Sequence, residues 1–193
     1  MRKRIEPGDL HPRPWKNGGG MTTELAIGGD PAGPDGWSWR ISMADVAQDG
    51  PFSPFEGVDR LICVVEGEGM DLLFQDGTRL PLERDRVAAF PGDAAAVGKL
   101  REGPVRDFNL MANRKRHRIG LAIGHGVASA VRGMAAGEVM LIHALEGPCV
   151  VSLGGGRPET LDPGVSLLLE AEPRVAWWAM AGARVMVATI RPA

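Results

Sequence analysis

Several residue types and patterns are scarce in this sequence, and each scarcity excludes a class of protein. The 193 residues include no tyrosine, two cysteines and four histidines. Two cysteines cannot supply the disulfide framework of a small secreted domain. No apolar run reaches the roughly 18 residues that a membrane-spanning helix needs. A net charge of −2 and a pI of about 6.1 lack the basic excess of nucleic-acid binders. We therefore expect neither a membrane nor a nucleic acid as partner.

The two cysteines, Cys63 and Cys149, lie within the short apolar runs LICVV and PCVVSL. Cysteines in such surroundings behave as small hydrophobic residues. We expect two buried thiols and no disulfide, which predicts a cytoplasmic location because thiols stay reduced there. The N-terminus has basic residues but no apolar stretch after them, so no signal peptide is predicted.

Glycine and proline are abundant, with 27 and 15 residues, as expected for turns between many short strands. Short apolar or alternating segments fill most of the chain, separated by turn sequences such as QDG, PGD and DPG. Residues 126–136 form the one stretch in which a short helix is predicted, although Gly133 weakens it. The fold class is therefore predicted to be all-β.

A faint internal repeat divides the chain. Segments 64–93 and 143–172 share the order strand, Glu-Gly turn, strand, polar hairpin and strand, and segments 103–111 and 182–190 close the two copies. Chance similarity between β-rich segments is the alternative explanation. The repeat predicts two small antiparallel β-barrels or sandwiches, over 1–112 and 113–193, with exchange of strands between them left open. The basic stretch ANRKRHRI (112–119) is interpreted as a solvated connector.

Three predicted strands place polar and apolar side chains on opposite faces, because alternate residues of a strand face opposite sides. The polar rows contain Thr22 and Glu24; Arg40 and Ser42; and Asp107, Asn109 and Met111. The apolar rows contain Met21, Thr23, Leu25 and Ile27; Trp39, Ile41 and Met43; and Phe108 and Leu110. A solvated sheet face is the simpler interpretation. Residues such as arginine, serine and asparagine make directed hydrogen bonds, however, which favours a ligand pocket.

The closing strand of the second copy lacks these polar residues. In the alignment of the two copies, Met186 and Ala188 occupy the positions of Asp107 and Asn109. Polar chemistry is therefore predicted in the first barrel only, and the second barrel is interpreted as a packing or dimerisation copy.

The segment KNGGG (16–20) is a second candidate element of the site. Consecutive glycines allow close approach to the backbone. Gly18 and Gly19 are predicted to form an anion-binding nest of N–H groups, with Lys16 supplying charge and Asn17 an amide. A flexible bulge before a strand is the alternative.

Two further residues are placed near the predicted pocket. Arg60 precedes the strand LICVV and points either into the pocket or to the surface, with Glu24 or Asp59 as its candidate partner. Ser53 lies in a turn, GPFS, at the predicted mouth of the barrel and is a candidate hydrogen-bond donor.

At PWKNGGGMTTELA (14–26) the chain resembles the HutD/Ves family of bacterial proteins. Further matches are WSWRISMADV (37–46), GPFSPFEGVDR (50–60), FPGD (90–93) and DFNLM (107–111). The resemblance implies a bicupin fold, which agrees with the repeat. It also implies a link to histidine utilisation through small-molecule binding or regulation, with formylglutamate as a candidate ligand. It implies no catalysed reaction.

Many cupins hold a metal on histidines and a glutamate, because several such ligands must converge within one barrel. Here the segment that should carry the first histidines reads GPFSPFEGVDR, and Ala94, Ala95 and Ala96 stand where the last histidine is sought. His143 lies in an apolar strand, as a core histidine does. We predict no metal and no other cofactor.

Three functions follow from these observations. The leading prediction is a metal-free bicupin that binds a small acidic metabolite in its N-terminal barrel. The alternative is a metal-independent isomerase, cyclase or lyase with Glu24 or Asp107 as general base and Lys16 or Arg40 stabilising an oxyanion. The third is a protein-interaction module. A homodimer through the C-terminal strands is compatible with all three.

Overall fold

The computed structural model describes residues 1–29 and 36–193. Its residues form two compact units: the first contains residues 11–119 and Ala193, and the second contains residues 1–10 and 120–192. The described residues form nineteen strands and one three-residue 3-10 helix, Pro7–Asp9, so the all-β prediction is confirmed. Within these ranges no helix has the length and apolar character needed to span a membrane.

The first unit is a sandwich of two antiparallel sheets. Its strands are β2 Arg13–Pro14, β3 Gly20–Gly28, β4 Trp39–Val46, β5 Gly50–Phe52, β6 Val58–Glu66, β7 Met70–Phe74, β8 Arg79–Leu82, β9 Val87–Pro91, β10 Ala96–Leu100 and β11 Val105–Asn113. One sheet has the order β2-β3-β4-β11-β6-β9 and the other β5-β10-β7-β8. Apolar side chains from both sheets form one core cluster between them, which includes Ile62, Leu72 and Phe90.

The second unit repeats this arrangement. Its strands are β1 Arg2–Ile5, β12 His117–His125, β13 Ser129–Arg132, β14 Val139–Glu146, β15 Cys149–Leu153, β16 Glu159–Leu161, β17 Ser166–Glu170, β18 Val175–Ala179 and β19 Arg184–Pro192. The order β12-β19-β14-β17 corresponds to β4-β11-β6-β9, and β13-β18-β15-β16 corresponds to β5-β10-β7-β8. Both Glu-Gly turns place their glycine at positive φ, 89° at Gly67 and 66° at Gly147. Strand β1 extends the larger sheet by pairing with β17.

The register of the closing strands corrects the sequence alignment by one residue. Val64 pairs with Asp107 in the first unit, and the equivalent Ala144 pairs with Val185 in the second. The counterparts of Asp107 and Asn109 are therefore Val185 and Val187, and the alignment with Met186 and Ala188 is wrong. Five residues separate Leu100 from Arg106, whereas four separate the equivalent residues Ala179 and Arg184. One residue of slip exchanges the faces of a strand. The second barrel nevertheless has an apolar interior at these positions.

The predicted short helix at residues 126–136 is wrong. Ser129–Arg132 forms β13, which pairs with β18. Val127 and Val131 would share one face of a helix, yet they are 83% and 61% exposed, so no apolar helix face is buried here. Pairing with a neighbouring strand decides the conformation, because the segment has no strong helix-forming pattern of its own.

The two cysteines and His143 lie where the sequence predicts. Cys63 and Cys149 are buried thiols, and burial raises the pKa of the Cys149 thiol to about 11. His143 is buried and its Nδ1 lies 2.8 Å from the Ser166 hydroxyl. Burial lowers the pKa of His143 to about 4, as expected for a neutral core histidine.

Candidate functional site

A cavity of about 520 Å³ opens into the first unit, and residues from four separated stretches of sequence line it. Nine of the predicted site residues are among them: Lys16, Asn17, Thr22, Arg40, Ser42, Ser53, Arg60, Asp107 and Asn109. The predicted residues Gly18, Gly19 and Glu24 do not line it. Lining residues not predicted from the sequence include Arg13, Trp15, Ala44 and Phe55. The volume lies within the range of small-molecule sites.

The polar rows of β4 and β11 meet in the centre of the larger sheet. Ser42 lies opposite Asn109, and Ala44 lies opposite Asp107. Both rows face the barrel interior, beside the apolar core, and Ser42, Asp107 and Asn109 are buried. The simpler interpretation, a face exposed to water, is therefore wrong. On the opposite face of these two strands, Trp39, Ile41, Phe108 and Leu110 are buried as well.

The predicted face of Ile27 in β3 is wrong because the strand contains a β-bulge. Glu24 pairs with Ser42, but Ala26 then pairs with Ile41, so the register shifts at Leu25. A bulge adds one residue and reverses the alternation beyond it. Ile27 therefore lies opposite Arg40, and it is exposed instead of sharing the buried apolar row.

Arg60 points into the barrel and is only 6% exposed. Its Nη2 donates to Asn109 Oδ1 at 2.9 Å, and its Nε has no hydrogen-bond partner among the described residues. Neither Glu24 nor Asp59, the partners considered from the sequence, pairs with it, since Glu24 lies against Arg40 and Asp59 against Arg114. Burial lowers the pKa of Arg60 to about 10, so the guanidinium stays charged at neutral pH.

Three phenylalanines surround this guanidinium. Its carbon Cζ lies 4.9 Å from the ring centre of Phe90, 5.4 Å from Phe52 and 5.9 Å from Phe55. Phe52 and Phe55 come from the segment in which metal-binding cupins have histidines. In this chain the segment therefore packs against the Arg60 guanidinium and supplies no metal ligand. Aromatic faces attract a cation but do not neutralise its charge. Arg60 thus lies among aromatic rings, and no carboxylate of the described part of the chain is within ion-pair distance of it.

Asp107 is the most deeply buried carboxyl group at the cavity, with 0% exposure. Its Oδ1 accepts a hydrogen bond from Asn109 Nδ2, whereas its Oδ2 has no partner within the described part of the chain. Burial raises the pKa of Asp107 to about 7, although the nearby Arg60 charge opposes this shift. Asn109 therefore connects Arg60 to Asp107 through its two amide atoms.

Glu24 and Arg40 form a pair at the edge of the cavity. Arg40 Nε lies 3.2 Å from Glu24 Oε2, and the Glu24 side chain is 43% exposed. Of the two carboxyl groups considered as a base, Glu24 is thus the paired one and Asp107 the unpaired one. The charge of Arg40 is already partly compensated within the protein.

The glycine run is a tight hairpin turn between β2 and β3. Gly18 N–H donates to Trp15 O at 3.0 Å, and Gly19 N–H donates to Asn17 Oδ1 at 3.1 Å. The predicted anion nest is wrong, because these two N–H groups are already used within the turn. A Cβ at Gly20 would lie 2.2 Å from Asp45 O, so the backbone there requires glycine. The turn holds Trp15, whose Nε1 donates to Thr22 Oγ1 at 2.7 Å.

The same hairpin carries two exposed cations on the cavity wall, Arg13 and Lys16. Arg13 lies directly opposite Thr22, which places its side chain on the cavity face of the sheet. Neither cation makes an ion pair with any residue that the structure describes. Arg13 was not predicted from the sequence, because β2 has only two residues and gives no periodicity that predicts the direction of its side chains.

The donor set of this cavity does not fit the metal that many cupins hold. Among the residues that the structure describes, its lining contains one carboxyl group, Asp107, and four cationic side chains, with no histidine or cysteine. Residues 1–29 and 36–193 contain no group of three or more His, Cys, Asp or Glu residues that could hold a metal ion. The arrangement instead suits an anion, which cationic side chains and amide groups bind directly.

Comparisons with known proteins agree with this fold. An uncharacterized 21.2 kDa protein of Pseudomonas putida, from the 3′ region of hutC, is 37% identical over 152 residues, which is 78% of each chain. The structure of HutD from Pseudomonas fluorescens SBW25, in a formate condition, is 28% identical with a TM-score of 0.81, covering 99% of this chain and 100% of that one. A cupin 2 conserved barrel domain protein from Leptotrichia buccalis shares the fold alone, at 12% identity, a TM-score of 0.60 and coverage of 97% and 95%. The HutD family model matches residues 8–187, so this chain belongs to the HutD family.

Proposed function

We propose that this protein is a metal-free binding protein for a small carboxylate, which it holds in the cavity of its first unit. The observation that carries the proposal is Arg60, a buried cation that faces the cavity and has no carboxylate within ion-pair distance among the described residues, although the nearby Asp107 charge favours its charged form. A buried charge is costly unless it is paired. A carboxylate ligand supplies the missing counter-charge, and its two oxygens match the parallel N–H donors of a guanidinium.

Family membership supports a role in histidine utilisation. The resemblance of its motifs makes formylglutamate, or a related small acid, the first ligand to test. In this proposal the protein senses or stores the acid as a regulatory or accessory component.

Thermal unfolding tests the proposal with matched ligands. Pentanoate and pentanamide differ in charge but have almost the same shape, and formylglutamate extends the series. A bound acid at about 100 times its Kd should stabilise the protein by about 2.7 kcal/mol, or roughly 5–10 °C in Tm, whereas the neutral amide should not. If no acid shifts Tm, or if the amide shifts it equally, the cavity is not a carboxylate site.

A second candidate function is proton transfer to or from a bound acid. The observation that favours it is the Asp107 carboxyl group, whose pKa of about 7 suits a general base or acid at neutral pH. Arg60 would then stabilise negative charge that develops on the substrate. Glu24 is the weaker candidate, because it lies outside the cavity lining and is paired with Arg40.

Deuterium exchange distinguishes catalysis from binding alone. If Asp107 removes a proton, keto acids incubated with the protein in D2O should gain deuterium beside the carbonyl group, as seen by NMR. The Asp107→Asn variant should lose this exchange, while Glu24→Gln should retain it. Binding without any exchange above the uncatalysed rate would leave the protein as a binder.

A further inference from the structure

Arg60, Asn109 and Asp107 form a continuous polar chain inside the first unit. Between β6 and β11, Arg60 lies opposite Met111 and Asn109 lies opposite Ile62, so Arg60 reaches Asn109 along a diagonal of the sheet. Asn109 Oδ1 accepts from Arg60 Nη2 at 2.9 Å, and its Nδ2 donates to Asp107 Oδ1. All three residues line the cavity and are at most 6% exposed. The chain thus connects a buried cation with a buried carboxyl group.

The second unit builds the same pair of strands without such a chain. Its three equivalent positions hold apolar residues that belong to the core cluster of that unit or pack against it, namely Met140, Val185 and Val187. A barrel of this topology therefore does not need polar residues at these positions. Since a buried ionisable group is costly, its presence in the first unit indicates a role at the cavity.

Arg60 and Asp107 influence each other's charge. The positive charge of Arg60 favours the ionised form of Asp107, and the charge of Asp107 favours the protonated form of Arg60. Burial opposes ionisation more strongly and raises the pKa of Asp107 to about 7, and no described group donates to its Oδ2. A carboxylate bound to Arg60 would compensate this cation and add a second negative charge nearby. Asp107 should then hold a proton more tightly.

The other charged groups around Asp107 do not explain a change of protonation near neutral pH. Asp45 and Glu66, which lie close to the start of β11, both contact Arg106. The opposing smaller sheet contributes apolar side chains to the core, Leu72 among them. The described lining has no histidine or cysteine, the side chains that ordinarily titrate near neutral pH. Its remaining charged residues are the cations Arg13, Lys16 and Arg40.

We propose that the chain Arg60–Asn109–Asp107 links the binding of a carboxylate to the uptake of a proton by Asp107. This proposal rests on the carboxylate-binding function proposed above and specifies how that site is regulated. Asn109 holds the two charged side chains in one network. Because linkage is reciprocal, the bound acid favours the proton and the proton favours the bound acid. The protein therefore holds its ligand more tightly at low pH and releases it as pH rises.

Calorimetric titration of the wild type with pentanoate in HEPES and in Tris tests this coupling, because the two buffers differ in their enthalpy of ionisation. If binding raises the pKa of Asp107 from about 7 to about 8, each bound acid should take up about half a proton at pH 7.5. The affinity should fall about sevenfold from pH 6 to pH 8.5. Pentanoate stays ionised over this range, so its own protonation does not contribute.

Asp107→Asn should take up no proton, and its affinity should not change with pH. Because asparagine is neutral, as protonated Asp107 is, the variant should bind pentanoate more tightly than the wild type at pH 8.5. Glu24→Gln is the matched control, since it removes a 43% exposed carboxyl group outside the cavity lining. This control should keep the proton uptake of the wild type.

Two results would overturn the coupling and leave the carboxylate site at Arg60 intact. One is binding to the wild type without proton uptake, which needs no variant to interpret. The other is an uptake that persists in Asp107→Asn. If pentanoate does not bind even at pH 6, the proposed function itself fails.

Discussion

Replacing Arg60 with methionine is expected to weaken carboxylate binding by about 100-fold or more. Two charge-assisted hydrogen bonds to one carboxylate contribute about 1.5–3 kcal/mol each, and methionine can make neither. Calorimetric titration with pentanoate measures the loss. Arg40→Met is the matched comparison and should cost less, because Glu24 already compensates part of the Arg40 charge. A folded Arg60→Met protein that binds pentanoate as the wild type does would contradict the assignment.

The same substitution should not unfold the ligand-free protein. Arg60 is a buried cation without an ion-pair partner in residues 1–29 and 36–193, and exchanging such a charge for an apolar side chain is often neutral or stabilising. Methionine would pack against Phe52, Phe55 and Phe90, although Asn109 Oδ1 would lose its donor. We expect the free energy of unfolding to fall by no more than about 1–3 kcal/mol, the cost of the unpaired Asn109 oxygen, because loss of the buried charge offsets it. A large loss of stability would show that Arg60 holds the barrel together.

The second large effect is expected at Asp107, where asparagine should stabilise the protein above neutral pH. Burial raises the pKa of Asp107 from 3.8 to about 7, so the folded protein binds a proton that the unfolded chain releases between these values. Folding stability therefore decreases as pH rises from about 4 to 7 and is constant above. The loss amounts to as much as about 4 kcal/mol. Asparagine has no ionisable carboxyl group, so the Asp107→Asn protein avoids this loss of stability.

Urea unfolding of both proteins from pH 4 to pH 8 measures this difference. The two should be equally stable near pH 4, and Asp107→Asn should gain steadily up to pH 7. The test uses the difference in stability between the two proteins at each pH, because His143 contributes equally to both and cancels. Its lowered pKa would otherwise make stability rise with pH between about 4 and 6.5, opposite to the effect of Asp107. Glu24→Gln, at a 43% exposed side chain, is the control and should show no comparable gain. A pH-independent difference for Asp107→Asn would show that Asp107 stays ionised when folded.

Local pattern was sufficient for the fold class and for most of the site. The alternation in WRISMA and RDFNLM assigned Ser42, Asp107 and Asn109 to polar rows, because strand geometry determines the face of each side chain. Residues such as Arg13 and Phe55 were missed. Arg13 belongs to a strand of only two residues, and Phe55 lies in a loop, where no periodicity predicts direction.

Register errors had one common cause. The bulge at Leu25 and the connection from Ala179 to Arg184, one residue shorter than that from Leu100 to Arg106, each change the count by a single residue. Either change moves side chains to the opposite face. Neither feature has a signature in the sequence, because both depend on how the strand pairs with its neighbours.

By itself, the sequence determined an all-β chain with an internal repeat, buried cysteines and a first repeat that carries directed polar residues, since composition and alternation are properties of short segments. Only the tertiary structure decided that the polar rows face the barrel interior, that Arg60 lies among three phenylalanines and that Asp107 is the unpaired carboxyl group. It also decided that the glycine turn uses its own N–H groups. Burial and pairing depend on residues that are distant in sequence, and those two quantities determine which charges remain available to a ligand.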